Sequence, residues 1–162
     1  MHPNDVSAAF TQLKEEGKVL HFGVSNFSPS QMALINNATP ISINQIEFSL
    51  THFEAMHDGT LDYMLGHQIT PMAWSPLGSV FREESERTER ISSLLGELKE
   101  KYNATEDQLL LAWLMKHPAG ILPVVGTTNK LRLTNALKAS EIPLDLEDWF
   151  LLLVASQGHK VP

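Results

Sequence analysis

Small polar side chains and one tryptophan stand at or just after the carboxyl ends of three apolar, strand-like segments. These residues are Ser25, Asn26, Asn44, Gln45, Trp74 and Ser75. Hydroxyl and amide groups offer hydrogen-bond donors and acceptors without carrying a charge, which suits a neutral amide as their ligand. The indole ring adds a flat apolar surface beside them. The pattern therefore predicts a binding site for a neutral, planar group.

A fourth apolar segment is followed by a different set of residues, Gly126, Thr127 and Thr128. Glycine permits close backbone approach, and a helix that begins here presents free N–H groups and the positive end of its dipole. Lys130 and Arg132 add positive charge in the first turns. These residues predict an anion site that could take a phosphate. An ordinary strand-to-helix turn also uses glycine and threonine as caps, so the residues alone leave both readings open.

Helical patterns separate these segments, which predicts alternating strands and helices. Strands are expected at residues 19–25, 41–46, 69–74 and 121–125, with helices before, between and after them, including 109–115, 129–139 and 146–156. The charged stretch 82–90 is interpreted as a solvated loop. Such an alternation favours parallel βαβ units, in which ligands bind at the carboxyl ends of the strands. The polar residues should therefore meet at one mouth.

Composition excludes several classes of protein. The chain has 162 residues, 43% of them hydrophobic, with a formal net charge of -7 and no cysteine. It is therefore neither a disordered chain nor a basic nucleic-acid binder, and it has no disulfide or thiolate metal site. No apolar run reaches the about 20 residues that span a membrane, and no histidine pair has metal-ligand spacing. We expect a cytoplasmic protein without nucleic-acid, membrane or metal partners.

Four motifs, taken in order, resemble the aldo-keto reductase family, and specifically its bacterial oxidoreductases. They are residues 21–27 (HFGVSNF), 44–47 (NQIE), 72–78 (MAWSPLG) and 123–128 (PVVGTT). The resemblance implies a (β/α)8 TIM barrel that binds NADPH at its carboxyl mouth. A whole barrel takes about 250 residues, so residues 1–162 would be one C-terminal half-barrel domain with strands five to eight and their helices.

The resemblance also assigns the cofactor-binding residues. Ser25, Asn26 and Gln45 would hold the nicotinamide carboxamide, and Trp74 would stack on its ring. Residues along the pyrophosphate would be Ser75, Leu77 and Gly78. Residues around the adenosine would be Gly126, Thr127, Thr128, Arg132 and Asn135, with Lys130 as a weaker candidate. Arg132 near the 2'-phosphate implies NADP(H) rather than NAD.

The catalytic residues of the family set a limit on this expectation. The tyrosine acid and its lysine, aspartate and histidine partners come from the first half of the barrel, and their motifs are not in this sequence. Tyr63 and Tyr102 fall on predicted helices, where packing is their expected role, and His2 is expected to be an exposed terminal residue. We therefore assign no catalytic residue, and expect no NADPH-dependent carbonyl reduction without a complementing chain. The alternative is a non-catalytic nucleotide-binding or structural half-barrel.

A half-barrel would leave two strand edges and one sheet face uncovered, which invites association. We therefore expect a homo-oligomer, most simply a two-fold dimer that closes a pseudo-barrel. In the family, the region that corresponds to residues 82–90 can fold over the cofactor, so a lid role is a further hypothesis for that stretch.

Overall fold

A computed structural model describes residues 2–160 and contains seven α-helices and four β-strands over that range. In chain order the elements are α1 (Pro3–Glu15), β1 (Gly23–Ser25), α2 (Pro29–Asn36), β2 (Ile43–Glu47), α3 (Thr60–Gly66), β3 (Thr70–Trp74), α4 (Glu86–Tyr102), α5 (Glu106–Met115), β4 (Leu122–Pro123), α6 (Lys130–Lys138) and α7 (Leu146–Gln157). Two short 3₁₀ helices lie at Glu54–Met56 and Ala139–Glu141.

The four strands form one parallel sheet in the order β1-β2-β3-β4. Consecutive strands are therefore neighbours, joined by helical crossovers, which confirms the predicted α/β fold with a parallel sheet. Because neighbouring strands are parallel and in register, their carboxyl ends meet at one edge. Ser25 lies beside Gln45, and Gln45 lies beside Met72.

The sheet has one buried and one more open face. Along β2, Asn44 and Ile46 are buried, whereas Ile43, Gln45 and Glu47 are half-exposed. β3 shows the same alternation, with Ala73 fully buried. Successive side chains of a strand point to opposite faces, so the half-exposed residues of both strands share the open face.

Two strands are shorter than the sequence predicts. The first was expected over 19–25 but pairs only over Gly23–Ser25, and Leu20 is 80% exposed. The fourth was expected over 121–125 but has ladder pairs only at Leu122 and Pro123. Proline cannot donate a ladder hydrogen bond, although Val124 N donates to the Ala73 carbonyl at 2.8 Å and extends the contact.

The predicted loop over 82–90 is wrong in its second half, because α4 begins at Glu86. Ser85 caps this helix, since its hydroxyl accepts from Thr88 N at 3.2 Å and Thr88 Oγ1 accepts from Ser85 N at 2.9 Å. Glu86 and Glu89 then lie in the first turn, where negative charge is favourable at the dipole. The charges that resembled a loop are thus those of a helix start.

The outer helices are joined by a reciprocal tryptophan pair. Trp113 of α5 and Trp149 of α7 stack with ring centroids 5.1 Å apart. Each indole N–H donates to the other residue's backbone carbonyl, at 3.0 Å and 2.9 Å. Both side chains are buried, so the two indole donors are satisfied inside the core. The pair fixes α7 against α5.

A charged cluster joins the end of α4 to the start of α7. Lys101 Nζ lies 2.7 Å from Asp148 Oδ2 and 3.0 Å from Asp145 Oδ2, and Tyr102 also donates its hydroxyl to Asp148. Hydrogen bonding to Lys101 holds the pKa of Asp145 below its usual value, and burial raises the pKa of Tyr102. Asp148 is buried but paired, as a buried charge must be.

Across residues 2–160, the helices are too short or too polar to cross a bilayer.

Candidate functional site

The first part of the site lies where β1, β2 and β3 end. Asn26 N donates to the Gln45 carbonyl at 2.9 Å, and Ser25 Oγ donates to the same carbonyl at 3.0 Å. The Trp74 indole N–H donates to Asn26 Oδ1 at 3.0 Å. The structure therefore brings together the four residues that the family resemblance assigns to the nicotinamide. Their amide, hydroxyl and aromatic groups can receive a neutral, planar amide-bearing ring.

Tight turns follow two of the strands and aim these side chains. Asn26 has a φ of 55° and Ser75 a φ of 50°, both in the left-handed region that non-glycine residues seldom occupy. Asparagine tolerates this conformation better than most residues, whereas serine is less common there. Such strained positions often lie at functional sites.

The turn after β3 is fixed against the loop that follows β2. Gly78 has a φ of 59°, and a Cβ placed on it would lie 2.1 Å from Thr51 Oγ1 and 2.6 Å from Ser49 Oγ. Ser79 N donates to the same Thr51 hydroxyl at 3.0 Å. Only glycine fits this contact, so the position of the turn depends on Gly78.

A cavity of about 340 Å³ joins this turn to the segment after β4. Six of the predicted cofactor-binding residues line it: Ser75, Leu77, Gly78, Gly126, Thr127 and Arg132. The three residues that were assigned to the pyrophosphate thus share one cavity with three of those assigned to the adenosine, although about 50 residues separate the two groups in sequence. Its remaining walls are mainly apolar, from Pro76, Phe81, Leu111, Val125 and Ala136.

Three of the residues that were predicted to surround the adenosine do not line this cavity. Thr128 and the weaker candidate Lys130 are exposed at the beginning of α6. Asn135 lies on the side of α6 that packs on α5, where its backbone carbonyl accepts from Gln108 Nε2 at 2.8 Å. Their assignment to the adenosine stays a prediction.

The beginning of α6 differs in detail from the predicted anion site. The residue that caps α6 is Asn129, whose Oδ1 accepts from Arg132 N at 3.1 Å. Thr127 Oγ1 in turn accepts from Asn129 N at 3.2 Å. The protein thus already satisfies one of the helix N–H groups that the sequence left free. Positive charge at this end of the cavity comes from the exposed Arg132 side chain.

Sequence reasoning missed two charged residues of the cavity, Arg82 and Asp107. Arg82 Nη2 donates to the Gly78 carbonyl at 2.6 Å and so braces the turn after β3. Asp107 lies in the first turn of α5 and accepts from Thr105 Oγ1 at 2.5 Å. The start of α5 was recognisable from its capping pattern, but nothing in the sequence indicated that this turn faces Arg132.

The two tyrosines lie on helices, as predicted. Tyr63 stacks on His67 with ring centroids 3.9 Å apart, and Tyr102 bonds Asp148 in the cluster between α4 and α7. Neither residue lines the cavity. His2 is exposed, at the beginning of the described chain. That the chain holds no catalytic residue stays a prediction.

A second, more polar pocket of about 400 Å³ lies beside the first part of the site. Asn26 and Trp74 line it together with Glu47, His52 and Glu54. His52 lies between the two carboxylates, with its Nδ1 3.5 Å from Glu54 and its Nε2 3.9 Å from Glu47. Within residues 2–160 the structure has no group of three or more histidine, aspartate or glutamate side chains placed to hold a metal ion.

Comparison with known proteins gives a consistent result. The family model described as "Aldo/keto reductase family" matches residues 2–152. The uncharacterized oxidoreductase YcsN of Bacillus subtilis is 40% identical over the whole chain, and the oxidoreductase YdhF of Escherichia coli is 34% identical. The NADPH-dependent alpha-keto amide reductase of Saccharomyces cerevisiae is 30% identical over 85% of the chain.

A solved structure shares the fold. The thermostable aldo-keto reductase Tm1743 superposes with a TM-score of 0.85 and 25% identity, covering 96% of this chain and 55% of its own. The matches to YcsN and YdhF cover 56% and 55% of those proteins, and that to the yeast reductase covers 44%. The chain therefore spans about half the length of the relatives it matches.

Proposed function

Because the chain belongs to the aldo/keto reductase family, we propose that it carries the cofactor half of an NADP(H)-dependent carbonyl reductase of the YdhF type. The observation that carries this proposal is the single cavity in which the turn after β3 meets the beginning of α6, with Arg132 on its wall. Oxidoreductases among the relatives, one of them NADPH-dependent by name, support it.

The residues present fit a nicotinamide dinucleotide. Trp74 is half-exposed on the open face of the sheet, where its ring is free to stack on the nicotinamide. Ser25, Asn26 and Gln45 are close enough to bond one carboxamide from the neighbouring strand ends. The bond from Trp74 to Asn26 holds the aromatic ring and the amide in a fixed relation. Because these side chains are already ordered before the cofactor binds, less conformational entropy is lost on binding.

The phosphate end would be held by the cavity. Thr127 and Ser75 bring hydroxyl groups to its wall, and Arg132 brings a guanidinium that can bond a phosphate with two N–H groups. A 2'-phosphate on the adenosine ribose is the natural partner for an arginine that is exposed rather than paired inside the fold. We therefore propose a preference for NADP(H) over NAD(H).

Carbonyl reduction would need a catalytic acid from outside this chain. NADPH supplies a hydride to a carbonyl carbon, and an acid must protonate the developing alkoxide. Tyr63 and Tyr102 are engaged elsewhere, so we propose that residues 1–162 form the strand-five-to-eight half of a barrel, bind the cofactor and do not reduce carbonyls alone. We also propose a cytoplasmic location, because a chain without cysteine suits a reducing compartment.

Fluorescence titration with NADPH and NADH tests this proposal. Arg132→Ala should weaken the affinity for NADPH about tenfold, which corresponds to the free energy of one hydrogen bond to a charged group. The affinity for NADH should stay almost unchanged. Lys138→Ala is the matched control, since it removes a cation from the other end of the same helix. Equal losses for both cofactors would remove the 2'-phosphate assignment, and no binding at all would favour a structural half-barrel. Turnover of a generic aldehyde above the buffer rate would overturn the proposed lack of catalysis.

A further inference from the structure

Asn44 is a polar residue inside the core, and the proposed cofactor site does not use it. It lies on β2 and is fully buried, with its side chain on the opposite face of the sheet from that of Gln45. Asn44 therefore cannot contact a ligand on the open face, although the sequence groups the two amides together. A buried amide is costly unless its polar atoms are hydrogen-bonded, so the partners of Asn44 indicate its role.

The amide of Asn44 makes a two-point contact with the backbone of Phe27. Its Nδ2 donates to the Phe27 carbonyl at 2.9 Å, and its Oδ1 accepts from Phe27 N at 3.3 Å. A planar amide offers a donor and an acceptor side by side, so the side chain bonds Phe27 as a neighbouring strand would. Nδ2 also lies 3.3 Å from Met32 Sδ and 4.0 Å from Met64 Sδ, which are weak acceptors.

This contact fixes the backbone on one side of Asn26. Phe27 N belongs to the peptide group after Asn26, and it is bonded to the Asn44 side chain. The peptide group before Asn26 is bonded to β2 as well, because Asn26 N donates to the Gln45 carbonyl at 2.9 Å. Between these two contacts Asn26 has its left-handed φ of 55°. Such a conformation persists in a residue other than glycine only where the surrounding structure fixes it.

We propose that Asn44 is a positioning residue, which holds Asn26 in the orientation that it needs to bond Trp74. The Asn26 side chain accepts from the Trp74 indole N–H at 3.0 Å, so its direction at the mouth depends on the backbone that carries it. The inference rests on the proposed function, in which Asn26 and Trp74 belong to the nicotinamide end of the site. Asn44 acts through Asn26 and does not touch the cofactor.

Packing alone does not explain an asparagine at this position. Met32 and Met64 border it and are fully buried, so an apolar side chain of similar volume would fill the space without the cost of burying an amide. Leucine has no group that could bond Phe27. An ionised aspartate could accept from Phe27 N but could not donate to the Phe27 carbonyl. Asparagine has the size and both of the groups that this contact requires.

Nuclear magnetic resonance of the cofactor-free chain tests the positioning. The chain has three tryptophans, so an isotope-labelled sample gives three indole N–H signals, and Trp74→Phe identifies one of them. Asn44→Leu should shift the Trp74 signal. It should leave the signals of Trp113 and Trp149 unchanged, because their indole N–H groups bond each other's backbone carbonyls. An unmoved Trp74 signal in folded Asn44→Leu protein, or equal shifts of all three signals, would overturn the proposal.

Calorimetric titration separates the two ends of the proposed site. NADPH carries both ends of the cofactor, whereas adenosine 2',5'-bisphosphate carries the phosphate end without the nicotinamide. Asn44→Leu should lower the affinity for NADPH about tenfold and change that for the bisphosphate less than about twofold. Equal losses for both ligands would show a general structural role and contradict the proposal. If the unmodified chain binds neither ligand, the proposed function fails, and the Trp74 signal still decides whether Asn44 positions Asn26.

Thr39→Val is the matched control. Thr39 is buried, and its hydroxyl lies 2.7 Å from Ser7 Oγ in the segment before β2, away from the mouth. Its loss should leave the Trp74 signal and both affinities unchanged. If Asn44→Leu does not fold, Asn44→Asp replaces it, because aspartate keeps the volume and the acceptor for Phe27 N. It should also shift the Trp74 signal and lower the affinity for NADPH, and a folded Asn44→Asp protein with neither change would overturn the proposal.

Discussion

The indole N–H of Trp74 donates to Asn26 Oδ1 across the width of β2, a contact between residues that are 48 positions apart in sequence. It ties the end of β3 to the turn after β1 and so fixes the relation between the aromatic surface and the amide. Replacing Trp74 by alanine should lower the affinity for NADPH about tenfold, because the stacking surface is lost. Trp74→Phe keeps an aromatic face without the N–H donor and should lose less. Titration of NADPH fluorescence measures both, and equal affinity of all three proteins would argue against stacking here.

Asp107 shares the cavity with Arg132 and should limit the proposed preference for NADP(H). A carboxylate repels a 2'-phosphate but accepts a hydrogen bond from the 2'-hydroxyl of NAD(H). Asp107→Asn should therefore raise the affinity for NADPH about threefold to tenfold and leave the affinity for NADH unchanged or lower. The control is Glu97→Gln, which removes an exposed carboxylate of α4 that does not line the cavity. An unchanged ratio of the two dissociation constants would show that Asp107 does not face the ribose.

Gly78→Ala should destabilise the protein and weaken cofactor binding together. The left-handed φ and the contact with Thr51 Oγ1 both oppose a Cβ, at a cost of about 1–3 kcal/mol in the free energy of unfolding. Gly96→Ala provides the opposite case, because a Cβ there meets nothing within 4 Å and the residue lies inside α4. It should stabilise by up to about 1 kcal/mol. Urea unfolding of both variants gives the comparison, and a stable Gly78→Ala protein with unchanged NADPH affinity would contradict it.

His117 should make stability depend on pH in the neutral range. Burial lowers the pKa of His117 below its ordinary 6.5, against a smaller opposite effect of Asp62. Its Nδ1 accepts from Ala119 N at 3.2 Å, so the neutral ring is the form that fits the fold. The unfolded chain binds a proton at His117 more readily than the folded protein does. The contribution of the neutral His117 ring to the free energy of unfolding is therefore complete above about pH 6.5. It is lost as the pH falls through the folded-state pKa.

Unfolding by urea at about pH 7.5 and about pH 5.5 measures this effect, because only histidine side chains ordinarily titrate between these values. His117→Asn keeps an acceptor at the position and removes the proton, so its stability should change less between the two conditions. His57→Asn, at an exposed site, is the control and should behave like the unmodified protein. The same dependence in all three proteins would exclude His117 as its source.

The strand-end residues could be predicted because the change from apolar to polar along a short run marks the end of a buried strand. Order and parallelism then place Ser25, Gln45 and Trp74 at one mouth, which the structure confirms. Arg82 and Asp107 could not be predicted, because they reach the cavity from a loop and from a helix start. Their positions depend on how α4 and α5 pack. The start of the first strand was predicted too early for a related reason. Leu20 is apolar but exposed, and the sequence does not show whether an apolar side chain is covered.

The stacked and reciprocally bonded Trp113 and Trp149 also separate two signals that binding studies often confuse. Two indoles held 5.1 Å apart in one fixed orientation couple their electronic transitions, whereas Trp74 stands apart at the mouth. The near-ultraviolet circular dichroism of the pair reports the integrity of the helical layer, because such a spectrum requires fixed side-chain packing. Quenching of Trp74 would report binding of the proposed cofactor. One chain thus contains separate optical probes for its fold and for its site.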